Sequence, residues 1–300
     1  MTPKEKRILD SRFATAFEPG HFYSPLPDMA DVLRADERTF GASYYKAVGI
    51  RHDAVQSVPG VRLNDEQQLS LLRQFGAYQA DIPFFRPDEG LRYRPLNDMF
   101  NWSDVVTLYC MMRHFRPRTI VEVGSGFSSA VILDTAERFL DDPVQLTCIE
   151  PFEQGRLYSV LRPQDRACTT ILQQRVQDVD LALFASLREN DILFVDSSHV
   201  AKFGSDVCHL LFHVLPHLSR GVLIHFHDVL WPFEYLQDWL LRGWAWNEAY
   251  FLRSFLQFND TFSVLFFNSY LGNVHTAAVH EYSPLSAVDS GGSLWLRKER

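Results

Sequence analysis

Between residues 119 and 226 five short apolar runs recur: TIVEV (Thr119–Val123), LTCIE (Leu146–Glu150), TTILQ (Thr169–Gln173), ILFVD (Ile192–Asp196) and VLIHF (Val222–Phe226). Strands apolar at nearly every position need cover on both faces, and helices between successive strands make them pair in parallel. Helical patterns fill the gaps at Ser128–Leu140, Gly155–Leu161, Asp180–Leu187 and Ser205–His217, and another follows at Asn247–Gln257. Two later runs, FSVLFF (Phe262–Phe267) and SLWLR (Ser293–Arg297), have no helix pattern between them. They are expected to pair antiparallel at one end of the sheet, with their loop free to visit a ligand crevice. The expected fold class is thus α/β, a doubly wound seven-stranded sheet that is mainly parallel.

The first hundred residues read differently. FYSPLPD (Phe22–Asp28) and DIPFFRPDEG (Asp81–Gly90) are loop-like, because proline blocks both helix continuation and sheet pairing. A helix pattern covers Asp65–Gln79 and a second covers Asp104–His114, with Ser103 as its expected N-cap. We therefore expect residues 1–100 to wrap as a helical and irregular cap over an α/β domain at 101–300. Phe22–Asp28 and Asn101–Trp102 are expected to close over a bound ligand.

Composition narrows the function classes. Of 300 residues, 46% are hydrophobic and 22% charged, which excludes global disorder. A net charge of −8 argues against a nucleic-acid partner held by backbone neutralisation. Cys110, Cys148, Cys168 and Cys208 are too widely spaced for a metal knuckle or redox pair, which points to a reducing compartment. Neither a leader-like apolar stretch at the start nor a membrane-length apolar run is present, so the expected location is the cytoplasm, with no membrane partner. The expected partner is a small-molecule acceptor, and a homo-oligomer is compatible with the sequence.

Open parallel sheets bind ligands at the carboxyl ends of their strands. The first run ends in Glu122-Val-Gly124-Ser125-Gly126, whose glycines allow a sharp turn with a ligand against the backbone. The second ends in Glu150, 24 residues after Gly126, where an acid can accept hydrogen bonds from a ribose diol. Gln177 and Asp178, beyond the third run, offer polar groups to an adenine. Asp196-Ser-Ser-His199 ends the fourth run and His225-Phe-His227-Asp228 the fifth, and these two clusters converge if the strands are neighbours. Carboxylate and imidazole together either bind a divalent cation or form an oriented base. A nicotinamide-dependent oxidoreductase shares the GxG turn and Glu150, although Glu122 and Ser129 count against it. A non-catalytic scaffold on the same fold also stays open.

On the acid-x-Gly-x-Gly turn, Glu150 and Asp196, the chain resembles the class I S-adenosylmethionine-dependent methyltransferases over roughly residues 101–300. The resemblance implies that Gly124, Ser125 and Gly126 face the methionine half of the cofactor. It further implies that Glu122 helps hold the cofactor's amino group and that Glu150 binds its ribose. The strand-end clusters are similar to those of metal-assisted O-methyltransferases of the catechol and bacterial sugar and natural-product types. That likeness implies Mg²⁺ or a similar ion on Asp196, His227 and Asp228, with His199 acting on the substrate hydroxyl. His227 stands where those enzymes carry a carboxylate, so a metal-free mechanism with His199 or His227 as base is the alternative. The expected catalytic residues are accordingly His199, Asp196 and His227, with Asp196 also beside the cofactor. The expected reaction is O-methylation of a small polar acceptor such as a sugar, phenol or secondary metabolite; the bacterial cephalosporin-hydroxylase-like proteins share this scaffold, so a non-methylating hydroxylase-like protein is the alternative.

Two further features are weighed. His209, His213 and His217 have helical metal-site spacing, but the apolar residues between them mark the buried face, so a surface stripe is expected. Trp231 and Glu234 follow Asp228 closely and are expected to face the crevice, whereas Glu248 is read as an ordinary first-turn helix acid.

Overall fold

Successive side chains of a strand point to opposite faces, so an all-apolar strand must serve two cores at once. The computed structural model, which describes residues 17–35, 55–86, 90–95, 97, 99–100, 102–152 and 155–300, shows that division directly. Val121, Val123, Leu193, Val195, Ile224 and Phe226 enter one core, packed by Phe184, Val207, Leu210 and Leu252 from the covering helices. Ile120, Leu146, Ile192, Phe194 and Leu223 enter the other, beneath Leu108, Met112, Ala130 and Leu133.

The strands are β1 (Thr119–Val123), β2 (Gln145–Ile149), β3 (Thr169–Leu172), β4 (Ile192–Val195), β5 (Leu223–Phe226), β6 (Phe262–Phe267) and β7 (Leu294–Lys298). They form one seven-stranded sheet in the order β3-β2-β1-β4-β5-β7-β6. β1 to β5 are parallel, and β7 runs antiparallel to both β5 and β6. This is the doubly wound, mainly parallel sheet expected. The strand order reverses between β1 and β4, which opens a crevice at their carboxyl ends.

Several local expectations fail, each for a tertiary or backbone reason. The β6–β7 connection is not a free loop but holds the helices Asn268–Val274 and Thr276–Tyr282. Burial of Tyr270 and Leu271 fixes the first of these despite its weak helix formers. The stretch Ser205–His217 is helical but passes through a π-helical turn at Leu210–Val214. Pro216 has no N–H for the carbonyl of Phe212, and the ladder slips by one residue just upstream. The helix Trp102–Phe115 begins before Ser103, whose hydroxyl accepts a hydrogen bond from Asn268 Nδ2 at 3.0 Å instead of capping. The helix at Asp65 ends at Phe75 and continues as a 3₁₀ segment to Asp81.

Residues from the first hundred join both cores: Leu72, Phe75, Phe84 and Tyr93 on one face, Val32, Val58 and Leu63 on the other. One buried ion cluster fastens this segment. Arg92 donates to Asp134 at 2.8 Å, to Asp165 at 2.5 and 2.9 Å, and to Glu137 at 2.5 Å. Phe22 and Tyr23 are 80% and 66% exposed and do not line the crevice. Asn101 lies outside the described residues, and Trp102 stacks on Phe85.

Candidate functional site

The crevice is a cleft of about 640 Å³ lined from β1, β2, β4, β5 and the loops that follow them. Its floor is the turn after β1. Gly124 has φ +79°, and a Cβ there would stand 1.8 Å from the Asp196 carbonyl oxygen. Only glycine lets the tails of β1 and β4 meet this closely. Gly124, Ser125 and Gly126 all line the cleft.

Glu122 is not among the residues that line the cleft. Its side chain lies on the face covered by the helix Phe127–Phe139, fully buried, and accepts hydrogen bonds from the hydroxyls of Ser128 at 2.7 Å and Ser129 at 2.5 Å. Burial lifts its carboxyl to about 7, against the pull of the Ser129, Ser128 and Ser125 hydroxyls. Glu122 therefore pins the turn from behind. Glu150 does face the cleft, its carboxylate braced by the backbone N–H of Phe152 at 2.9 Å and of Ser125 at 3.4 Å. Gln177 also lines the cleft and donates to the Gly204 carbonyl at 2.9 Å. Asp178 turns away to pair with Arg175 at 2.9 Å and is not among the lining residues.

The β4 and β5 clusters converge as expected, but the histidine at their centre is His199. Its Nε2 lies 3.3 Å from Asp196 Oδ1 and 3.7 Å from Asp228 Oδ2. Its Nδ1 lies 3.0 Å from Oε2 of Glu248, which is buried at 1% exposure. His199 and Asp228 hold left-handed backbone conformations, φ +58° and +54°, uncommon for side-chain-bearing residues and concentrated at functional sites. Burial alone would disfavour the imidazolium, yet Asp196 and Glu248 outweigh it and raise His199 well above its ordinary value. Burial likewise opposes ionisation of Asp196, but His227 and His199 prevail and hold it at about 2.

The expected cation ligands Asp196, His227 and Asp228 are thus corrected. Among the described residues, Asp196, His199 and Asp228 bring one ligand atom each within 4.8 Å of one another, and His227 is outside that group. His227 follows Phe226 on the opposite face of the strand, against Phe100, with Nε2 3.8 Å from Asp228 Oδ1. The donor set fits a divalent cation chemically: two carboxylates and an imidazole whose far nitrogen is oriented by a further carboxylate.

Sequence reasoning missed two residues. Glu248 orients His199 from 49 positions away, and only its first-turn place was legible. Asp104, buried in the helix Trp102–Phe115, accepts from the Ser293 hydroxyl at 2.6 Å and from the Gly292 N–H at 3.0 Å. Ser293 also meets His225 Nε2 at 2.9 Å. Burial raises Asp104 to about 6 despite the charge of His227. Burial would lower His227, but Asp228, Asp196 and Asp104 carry it up to about 9.

Other candidates resolve as packing or surface. Trp231 is fully buried, its indole N–H on the Val55 carbonyl at 2.6 Å, so it does not face the crevice. Glu234 is bound by the Tyr250 hydroxyl and does not line the cleft either. His213 and His217 are exposed, and no cation-type grouping among the described residues includes the stripe.

A family model for a methyltransferase domain matches residues 121–229. An uncharacterized protein of Archaeoglobus fulgidus is 35% identical over 188 residues, 61% of this chain and 79% of that protein. Among solved structures, the O-methyltransferase TomG of Streptomyces achromogenes, in complex with SAM, aligns over 88% of this chain and 98% of its own, at 15% identity and TM-score 0.43. The SAH-bound methyltransferase PaMTH1 of Podospora anserina aligns over 82% and 100%, at 14% identity and TM-score 0.43.

Proposed function

The chain belongs to one family with the Archaeoglobus fulgidus protein and carries a methyltransferase domain over residues 121–229, and from that premise we propose that it transfers the methyl group of S-adenosylmethionine to a hydroxyl of a small polar acceptor. One observation supports the reading above the rest. A glycine turn, a strand-end acid and an oriented histidine all open onto the same cleft. Gly124 to Gly126 leave room for the methionine half of the cofactor, and Glu150 offers its carboxylate to the ribose diol.

The sulfonium already carries the leaving-group activation, so the protein must align the hydroxyl and take its proton. Glu248 fixes the Nδ1–H of His199, which leaves Nε2 facing the cleft between Asp196 and Asp228. In its neutral form His199 accepts the hydroxyl proton at Nε2, and the flanking carboxylates stabilise the imidazolium that results. His227, with a carboxylate on either side of it, supplies positive charge beside the reacting oxygen. A divalent cation on Asp196, His199 and Asp228 would supply Lewis-acid polarisation of the hydroxyl. The proton on His199 Nε2 competes with such an ion for the same place.

Calorimetric titration with S-adenosylhomocysteine, beside a parallel titration with NAD, tests the cofactor. Saturable binding of the homocysteine compound alone is expected, and the reverse result would return the oxidoreductase reading. A second titration with Mg²⁺ expects proton release if the ion enters this cluster, and silence if the histidine works without one.

A further inference from the structure

The cleft contains a cation that the chemistry above leaves unused. Arg156 lines it, and its side chain lies across the glycine turn: a Cβ at Gly126 would stand 2.6 Å from Arg156 Nε and 3.2 Å from Cδ. Gly126 is therefore the residue that makes room for this guanidinium against the turn. Several other arginines meet acids, as Arg92, Arg113, Arg162 and Arg175 do. Arg156 has no carboxylate partner among the described residues, in a chain with a surplus of acids. Immediately before Gly126, Ser125 lines the same space.

Resting on the cofactor reading above, we infer that Arg156 is the anchor for the α-carboxylate of the cofactor's methionine tail. The tail has three charges, a sulfonium, an ammonium and a carboxylate, and two of them are positive. A guanidinium beside this turn would repel the sulfonium unless the carboxylate lay between them, and the two-pronged fork of arginine matches a carboxylate's two oxygens. The shared chemistry is a carboxylate or similar anion, and an acidic group on the acceptor is the competing source.

The test compares two ligands that differ only in the charged tail. Wild-type full chain and Arg156→Gln are titrated with S-adenosylhomocysteine and with 5′-deoxy-5′-methylthioadenosine, which lacks the amino-carboxypropyl group. Arg156 is exposed, so the variant is expected to keep its thermal midpoint. Loss of a charge-assisted hydrogen-bonded pair predicts a rise of roughly 10- to 100-fold in the Kd for the homocysteine compound. The Kd for methylthioadenosine should stay within about twofold, and Arg156→Lys should recover part of the loss. Equal weakening of both ligands, or of neither, overturns the inference, as does a raised acceptor KM with unchanged homocysteine affinity. Failure of the wild type to bind S-adenosylhomocysteine would overturn the cofactor reading itself, and this assignment with it.

Discussion

Two clusters in this molecule have the same inventory, one cation among three acids, and opposite characters. Around Arg92 stand Asp134, Glu137 and Asp165, all within 2.9 Å. Around His199 stand Asp196, Asp228 and Glu248, at 3.3, 3.7 and 3.0 Å. The first cation cannot lose its proton at any ordinary pH, and its donors are matched to fixed partners, so the cluster can only hold chain segments together. The second cation titrates, keeps two loose contacts and opens on a cleft. A cluster that saturates its hydrogen bonds is structure, and one that leaves contacts long and a proton removable has something left to do.

Exchanging the readouts of the two clusters gives the strongest test. His199→Gln should lower turnover by about 10²- to 10⁴-fold, the usual range for a positioned general base, while homocysteine-compound affinity changes little. Turnover within a few fold of wild type would place His199 with Arg92 and dissolve the distinction. Arg92→Leu should do the opposite. Removing one member strands the buried Asp134, at a cost of about 3–5 kcal/mol in urea unfolding, with ligand affinity of the folded fraction preserved.

pH should separate the clusters next. Burial opposes the charge on Asp165, but Arg92 outweighs it and lowers the carboxyl, so this contribution is present above the unfolded value and fails as pH falls through the folded one. His199 and His227 are raised instead. Their contribution is complete below about pH 6.5, the unfolded value, and fades as pH climbs through the folded ones. For His227 that window runs to about 9 and is worth up to roughly 3 kcal/mol. Denaturation at stepped pH, with Arg92→Leu and His227→Gln alongside, should therefore show one variant flattening the acid limb and the other the alkaline limb. Turnover should rise along that alkaline limb as His199 is freed to accept a proton.

Glu122 provides a calibration, because it is a buried acid with no cation. Its carboxyl is raised, so the folded chain binds the extra proton and stability declines as pH rises from about 4.5 to about 7. Glu122→Gln should remove up to roughly 3 kcal/mol of that decline, read from the same denaturation series.

The contrast also explains what could be read from sequence. Residues that act through strand ends were legible, because apolar runs fix where each strand stops and the next residue, Gly124, Glu150 or Asp196, inherits the crevice. Partners that arrive from other elements were not. Glu248 looks like any first-turn acid until the chain folds 49 residues back to His199. His227 was expected as a cation ligand because the resemblance puts it where metal-assisted O-methyltransferases carry the first carboxylate of a ligand pair. Alternation along the strand sends neighbouring side chains to different faces, and the left-handed turn at Asp228 separates the two further. The helices between β6 and β7 were missed because Asn, Ser and Gly dominate the first of them, and burial supplies what propensity lacks.

Gly292 carries a consequence for how the protein is made. A Cβ there would stand 3.0 Å from the Asp228 backbone, its carbonyl accepts the Val229 N–H at 2.9 Å, and its N–H meets Asp104. It lies just before β7, which must insert between two strands already synthesised. Asp228 therefore has no backstop until the chain has emerged as far as β7, and a growing polypeptide can display its glycine turn and Glu150 long before its acid–histidine cluster is set.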